Sequence, residues 1–408
     1  MKLHARKTGL YLHIPFCERI CHYCDFAKTA RFSGDGVAAY LTRLRRCLEL
    51  WLEEAERGDL LHPPFVSLYF GGGTPGLFAS EYEAIMELVT PWLAPEAEVT
   101  MEANPDHVTS AHLQTWRGLG INRLSLGLQS LQDDQLQFLT RTHTARQSLD
   151  VVGRARRYFD NINADLIYGL PGQNSGQWQQ DVLTLSRLTD HLSLYVLGCE
   201  GRTVFGHRHR RGRLQLPDDD AVADLYEGAR AAAARGGMVH EEVSNWARPG
   251  KEAVHNQLYW HGDEWLGLGT GAHSFLRPDP ARAGLRFAAL AGLTPWSRQE
   301  LPAPGSDFTP ARLIAVTGAV TEKRNARDYL LEALGSGLRC RRGVWLKDVC
   351  RVTGLEFRPD AIVQQGLDDG LLQFKDQEFL TLTESEWFRE SAWAVALNKS
   401  FHRPALLI

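Results

Sequence analysis

Cys17, Cys21 and Cys24 fall within eight residues, in the run Phe-Cys-Glu-Arg-Ile-Cys-His-Tyr-Cys. Three thiolates on one loop can each hold one iron of a 4Fe-4S cubane and leave the fourth iron open, which is useful only if an outside ligand docks there. A zinc site would need a fourth protein ligand, for which His13 or His22 could serve, and structural zinc more often shows two cysteine pairs than one triplet. Buried thiols holding no metal are the third reading. The cluster reading leads.

Other residues able to do chemistry recur where predicted strands end. After the cysteines come Gly71-Gly72-Gly73-Thr74-Pro75, then Glu102 and Asn104, Gln129, Asp165 and Glu200. A glycine run after a strand most often makes only a turn, but beside a cluster it offers bare backbone that a ligand's amino or carboxylate group can approach. Asp165 lies in an otherwise apolar strand, Asn-Ala-Asp-Leu-Ile-Tyr-Gly, so its carboxylate needs a partner, either a ribose hydroxyl or a structural hydrogen bond. Arg141, just past a helix, reads by itself as a surface or ion-pair arginine.

Two further stretches are chemically loaded. The basic segment Phe205 to Arg213 is either a solvated loop or a clamp for an anionic ligand such as porphyrin propionates. The segment His255-Asn256-Gln257-Leu258-Tyr259-Trp260 could ligate and stack a flat macrocycle, with His255 as axial ligand. Taken blind, it is more readily a core segment with a satisfied histidine.

The elements that must position these residues alternate. A strand precedes the cysteines, and others are predicted at 65–70, 98–102, 123–128, 161–168 and 191–197, separated by helices at 37–57, 81–92, 110–119, within 133–159 and at 175–188. Strands alternating with helices predict an α/β fold with a parallel sheet closed or partly closed into a six-unit (β/α) barrel. Such barrels gather chemistry at the C-terminal ends of their strands, where these polar residues lie.

The organisation expected is a barrel with the cysteine loop over 1–205, an extension carrying the His-Asn-x-x-Tyr-Trp segment over 206–300, a Pro-containing linker at 301–310 and a C-terminal domain over 311–408. That domain is predicted to be helical through 313–334, with shorter helices near 344–352 and 359–368. A hairpin follows at 371–374 and 379–382, the outline of a winged-helix module. It shows no dense basic recognition helix, so it reads as a packing or partner module.

At 408 residues with 44% hydrophobic and 23% charged residues, the chain can bury a large core, and a net charge of -4 argues against nucleic-acid binding by bulk charge. No apolar stretch approaches the length that crosses a bilayer, and the basic N-terminus leads into a strand, so a cytoplasmic location is expected. Seven cysteines without paired spacing fit a reducing compartment.

The spacing Cys-x3-Cys-x2-Cys, with Tyr23 before the last cysteine, resembles the radical S-adenosylmethionine (SAM) superfamily. The segments Tyr-Leu-His-Ile-Pro-Phe-Cys, Gly-Gly-Gly-Thr-Pro, Glu102-Ala-Asn-Pro, Gly127-Leu-Gln-Ser, Asp165-Leu-Ile-Tyr-Gly-Leu-Pro-Gly and His255-Asn-x-x-Tyr-Trp are similar to the oxygen-independent coproporphyrinogen oxidase group, and within it to the HemW heme chaperones. The resemblance implies that Cys17, Cys21 and Cys24 hold a 4Fe-4S cluster whose open iron takes the amino and carboxylate groups of SAM. It implies a SAM pocket of Tyr11, Tyr23, Gly72, Gly73, Thr74, Glu102, Gln129, Arg141 and Asp165. It also implies heme binding by His255, Asn256, Tyr259 and Trp260.

Within that group, decarboxylating oxidases resemble a pattern with a further cysteine two residues after the third, where this chain has Phe26, and carry a long extension before the residue matching Tyr11, where ten residues stand here. Both favour a heme chaperone that delivers heme to an acceptor such as a membrane respiratory protein, with no nucleic acid involved and a homodimer allowed. The alternative is a radical enzyme, either the oxidase or a related methyltransferase. Two stretches depart from the pattern: Gly198-Cys199-Glu200-Gly201-Arg202-Thr203 lacks the usual Glu-Pro-Gly-Thr, and 285–294 has little of the expected sequence.

Overall fold

The computed structural model describes residues 7–199, 201–279, 283–298, 300–303, 309–317, 319–322 and 325–402. The expected rim residue Glu200 and residues 304–308 of the expected linker lie outside the described residues.

The cysteine loop leaves the end of strand β1 (Thr8–Ile14), whose residues are buried on both faces except Tyr11. Such continuous burial is what a central parallel strand, covered on both sides, requires. Helix α1 (Gly34–Arg57) returns the chain; Ser33 caps its start by accepting the Gly36 amide, and Gly58 ends it at φ 72°, a left-handed angle that glycine adopts without strain. Its stripe of Leu41, Leu44, Leu48 and Trp51 joins the main core.

The pattern repeats through β2 (Phe65–Gly72), α2 (Glu83–Val89), β3 (Leu93–Ala103), α3 (Ser110–Gly118), β4 (Arg123–Gln129), α4 (Asp133–Phe138), α5 (Ala145–Ala155), β5 (Ile162–Tyr168), α6 (Ser175–Leu188) and β6 (His191–Val196). The six strands lie parallel and in chain order, as the alternation predicts for a partial barrel, with their C-terminal ends on one rim.

The sheet is wider than the six strands read from the sequence. Helices α7 (Val204–Arg210) and α8 (Asp219–Arg235) lead to β7 (Val239–Glu242) and β8 (Asn245–Ala247), and β8 pairs antiparallel with β6. Helix α9 (Val254–His261) then carries the chain across to β9 (Glu264–Leu268), parallel to β1 at the other side. From there β10 (His273–Leu276), β11 (Leu285–Ala289) and β12 (Ala319–Glu322) continue as an antiparallel meander, giving a sheet of twelve strands.

After α10 (Leu293–Ser297), the helix expected over 313–334 is broken into three elements: α11 (Pro310–Val316), β12 (Ala319–Glu322) and α12 (Ala326–Gly337). Thr317 ends α11, and its hydroxyl turns back onto the Leu313 and Ile314 carbonyls. The β-branched pair Val320-Thr321 then lies in the strand that pairs with β11, and an Asn325–Asp328 capping box starts α12. Leu313 and Ile314 pack in the main core while Leu330 and Leu334 pack in a second one, so the structural division falls after Glu322 and not at Pro310.

That second core belongs to a small C-terminal domain of α12, β13 (Val344–Trp345), α13 (Leu346–Thr353), β14 (Glu356–Phe357), α14 (Ala361–Asp368), β15 (Leu372–Lys375), β16 (Phe379–Leu382), α15 (Glu390–Lys399) and β17 (Phe401–His402). The β15–β16 hairpin takes β13 as a third strand. Arg277, just past β10, reaches Asp348 of α13 at 3.0 Å and joins the two units.

Candidate functional site

The cysteine loop is stitched at both ends. The Thr29 amide donates to Pro15 O at 2.7 Å and the Cys17 amide to Thr29 O at 3.0 Å, while Gly73 and Thr74 donate to Ile14 O and Phe16 O at 2.7 and 2.9 Å. The base of the loop is therefore fixed against the glycine turn that follows β2. Gly73 has no room for a side chain, since a Cβ there would stand 2.7 Å from Phe16 O and 2.8 Å from Ile14 O. Gly72 takes φ 114°, and a Cβ on it would strike the His13 ring.

Above this base lies a cavity of about 440 Å³, room for one ligand of cofactor size. Cys17, Cys21 and Cys24 line one wall together with Tyr23. Gly72, Gly73, Thr74 and Glu102 line the floor, and Gln129, Arg141 and Asp165 come from the following strands. Phe26, where the oxidases' further cysteine would stand, is 69% exposed at the same cavity.

The two carboxylates are held by hydrogen bonds. Tyr69 donates to Glu102 Oε1 at 2.8 Å and the Gly72 amide to Oε2 at 3.0 Å, yet burial pushes this carboxyl up to about 7. Asp165 accepts from Ser125 Oγ at 3.0 Å and Asn163 Nδ2 at 2.7 Å, and burial raises it too. The oxygens of Asp165 therefore have the protein partners that the structural reading expects, and the residue also lines the cavity. Gln129 ends β4 at φ 67°, a left-handed angle rare for a side chain of its size and fixed here at the cavity rim.

Arg141 is no surface arginine. It donates to Gly127 O at 2.9 Å and to Asn104 Oδ1 at 2.5 Å, and its other terminal nitrogen stands 3.6 Å from Cys21 Sγ. Asn104 in turn donates to Thr74 Oγ1 at 3.1 Å, and the Thr74 hydroxyl bonds Cys17. A relay of three side chains, Thr74, Asn104 and Arg141, therefore connects two of the cysteines. Burial pushes the Cys17 thiol up to about 11 and also raises Cys24, where Lys28 works against it. Thiols so placed ionise when a metal displaces their protons.

Among the described residues no three His, Cys, Asp or Glu side chains meet closely enough to enclose a single metal ion. Three thiols spread along one wall, with an arginine N–H on one sulfur and an open cavity opposite, fit a polynuclear cluster that takes one iron per cysteine.

Tyr11 does not line the cavity. It lies in an aromatic layer with ring centroids 5.9 Å from Tyr69 and 6.2 Å from His255, and its hydroxyl pairs with His13 Nδ1 at 3.1 Å.

The His-Asn-x-x-Tyr-Trp residues are dispersed by α9. His255 is 1% exposed; Nδ1 pairs with Ser67 Oγ and Nε2 with the Tyr259 hydroxyl, both at 2.8 Å, and burial lowers the ring to about 3. As placed, His255 is a satisfied core histidine without a lone pair for an axial bond. Asn256 reaches the cavity, whereas Trp260 lies at a crevice beside the C-terminal domain. Of the basic segment Phe205 to Arg213, residues up to Arg210 lie in α7 and 211–213 in the turn after it, and the first turn of α7 is tied to the cysteine loop by the Phe205 amide donating to His22 O at 3.0 Å.

Sequence reasoning missed Arg123, Ser193 and Tyr195 among the lining residues. Ser193 and Tyr195 were signalled by the period of two in His-Leu-Ser-Leu-Tyr-Val, which turns both to the face that Asp165 shares. Arg123, at the start of its strand, carried no such signal.

The description of the radical SAM superfamily matches residues 11–185. A heme chaperone HemW from Lactococcus lactis subsp. lactis (strain IL1403) is 39% identical, over 70% of this chain and 72% of that protein. Another from Mycobacterium tuberculosis (strain ATCC 25618 / H37Rv) is 34% identical over 88% of each. Among solved structures, coproporphyrinogen III oxidase (HemN) from Escherichia coli superposes with a TM-score of 0.72 over 96% of this chain and 90% of its own, at 20% identity, which is a likeness of fold.

Proposed function

This chain belongs to the radical SAM superfamily and within it to the HemW family, and from that premise we propose that it is a heme chaperone. It binds heme, carries a SAM-ligated 4Fe-4S cluster and passes heme to an acceptor. Membership of the superfamily implies the cluster and SAM; the heme and its delivery follow from what the relatives are called.

The observation that carries the cofactor part is the single cavity that gathers the three thiols, the glycine turn, Glu102, Arg141 and Asp165. When bound, the cluster supplies an open iron for the amino and carboxylate groups of SAM and an electron for its sulfonium. The chain's own residues do the rest. The Gly72-Gly73 turn lets the ligand approach bare backbone, Arg141 sets its charge against Cys21, and Glu102 and Asp165 offer oxygens to hydroxyl or amino groups deeper in the cavity.

The acceptor we assign to this reading is a membrane respiratory protein reached at its surface, with the chaperone acting in the cytoplasm as a monomer or a homodimer. No helix among the described residues is long and apolar enough to cross a membrane. All seven cysteines are free thiols, in keeping with a reducing compartment.

A radical enzyme remains the second reading, because Glu102, Gln129, Arg141 and Asp165 all line the cavity. One experiment separates the two. The reconstituted protein is mixed anaerobically with heme, SAM and a reductant, and heme absorbance and 5'-deoxyadenosine are followed in the same tube. Stoichiometric heme uptake with little deoxyadenosine is expected; rapid deoxyadenosine formation dependent on a porphyrin would make it an enzyme.

A further inference from the structure

With both nitrogens of His255 engaged inside the core, an iron porphyrin needs another nitrogen donor. The next histidine, His261, closes the same helix and points elsewhere. It lines a crevice of about 220 Å³ between the end of α9 and the C-terminal domain, and a smaller hollow of about 50 Å³ that opens beneath it. Among the described residues no hydrogen bond reaches either of its ring nitrogens. Burial, with Arg342 and Lys7 nearby, holds the ring well below its ordinary value, so it stands neutral with a free lone pair.

The crevice also contains acids, but each is engaged. Glu241 pairs with Arg341 at 3.6 Å, Glu242 accepts from Ser244 N at 3.0 Å and from Asn245, and Glu252 accepts from Gly250 N at 3.2 Å. Arg342 and Lys375 line the same crevice and have no carboxylate within ion-pair distance among the described residues. Among the described residues, what remains is a neutral imidazole without a hydrogen bond and two cations without a carboxylate; Arg342 lies over the Phe379 ring at 4.9 Å, and one face of the Trp260 indole is covered by Arg339 at 5.7 Å. The inner hollow is walled by the rings of Tyr259, Trp265, Trp345 and Phe379 together with Arg342 and two paired acids, Glu332 with Arg286 and Asp348 with Arg277. A plate with an apolar edge, a metal at its centre and two carboxylates at the far edge matches that gradient.

We propose that this crevice takes one edge of an iron porphyrin, with His261 as the axial nitrogen, Trp260 against the ring and Arg342 and Lys375 on the propionates. The assignment rests on the heme-binding reading above and moves the metal contact from His255 to His261. A crevice of this size holds only part of the macrocycle and leaves the rest in solvent, which suits a carrier that must release its cargo.

The test is titration of the full-length protein with hemin, followed by the Soret band and by electron paramagnetic resonance. His261→Ala is expected to lose the imidazole-ligated spectrum and to weaken binding roughly 10-fold or more, with added imidazole restoring the band. His261→Met, a second variant in case alanine impairs folding, is expected to replace the signature by that of a thioether ligand. His255→Ala, if folded by circular dichroism, is expected to keep the wild-type spectrum. Arg342→Ala with Lys375→Ala is expected to weaken hemin more than its dimethyl ester. Wild-type spectra and affinity in both His261 variants would overturn the assignment while leaving heme binding intact. A wild-type protein that takes up no hemin would overturn the heme-binding reading and this assignment with it.

Discussion

The hydroxyl of Tyr69 donates to Oε1 of Glu102 across 2.8 Å, and the Gly72 amide holds the other oxygen of the same carboxylate at 3.0 Å. Glu102 thereby fixes both the aromatic layer beneath the cavity and the glycine turn beside the cysteines. Burial outweighs these two bonds and leaves the carboxyl raised to about 7 from an ordinary 4.5. The folded protein therefore holds this proton more tightly than the unfolded chain. The resulting stability is fully present below about pH 4.5 and is lost as pH rises through about 7. Glu102→Gln should remove that alkaline loss, worth up to about 3 kcal/mol at ~1.4 kcal/mol per unit. Urea unfolding of both proteins at about pH 5 and pH 8 checks it; parallel losses would show that another group is responsible.

His255 titrates in the opposite sense. Its ring is lowered to about 3, so the folded state binds fewer protons there than the unfolded state. Its stability is present above about 6.5 and is lost as pH falls through that value toward 3. Removing one partner with Tyr259→Phe should cost about 1 kcal/mol at neutral pH. Thermal melts at neutral pH read this directly, and an unchanged midpoint would contradict the Tyr259–His255 bond.

Gly73→Ala should cost roughly 1–3 kcal/mol and lower the iron and sulfide taken up on reconstitution, because the new methyl meets backbone that cannot swing aside. Gly153→Ala in α5 is the matched control. Nothing lies within 4 Å of its Cβ position, and it should stabilise by about 0.4–1 kcal/mol. Equal behaviour of the two would mean that the loop base yields more than its hydrogen bonds imply.

Where the fold was legible, the cause was local. Helix α6 runs Ser175–Leu188 as its periodicity predicts, and the six parallel strands follow from apolar runs between turn signals. The cysteine loop and the polar strand ends were legible for the same reason, since a parallel barrel sends its strand ends to one rim. What stayed hidden depends on partners distant in the chain. Arg141 is buried because Cys21, 120 residues away, and Asn104, 37 away, supply its acceptors. His255 points inward because Ser67, 188 residues off, takes its Nδ1. Strand β12 was read as helix because its four residues sit between helical stretches, and only pairing with β11 selects the extended form.

Arg141 also sets a redox expectation. Its guanidinium stands 3.6 Å from Cys21 Sγ, and the charge favours the more negative, reduced form of any cluster held there. Arg141→Ala should shift the midpoint potential of the reconstituted cluster downward and loosen SAM. Arg141→Lys keeps the charge but not the fork between Gly127 O and Asn104 Oδ1, and should restore the potential more than the SAM affinity. Potentiometric titration monitored by electron paramagnetic resonance, with SAM binding measured beside it, distinguishes the two. An unmoved potential in Arg141→Ala would remove the arginine from the cluster's surroundings.

The junction between the barrel and the C-terminal domain turns on Asp348, which accepts from Arg277 at 3.0 Å and also from Tyr329 and Arg351. Arg277 is only 5% exposed, and the neighbouring positive charge and hydrogen bonds hold Asp348 below the usual carboxylate range. Asp348→Ala would leave a buried guanidinium without its carboxylate, a change that typically costs about 3–5 kcal/mol. Because Tyr329, Trp345 and Asp348 all line the hollow beneath His261, loosening this junction should also widen the crevice proposed for heme. The expected pattern is faster proteolysis of the C-terminal domain, a lowered melting temperature and weaker hemin binding, with the cluster content unchanged. Loss of cluster content in step with hemin binding would instead mean that the barrel itself depends on the C-terminal domain.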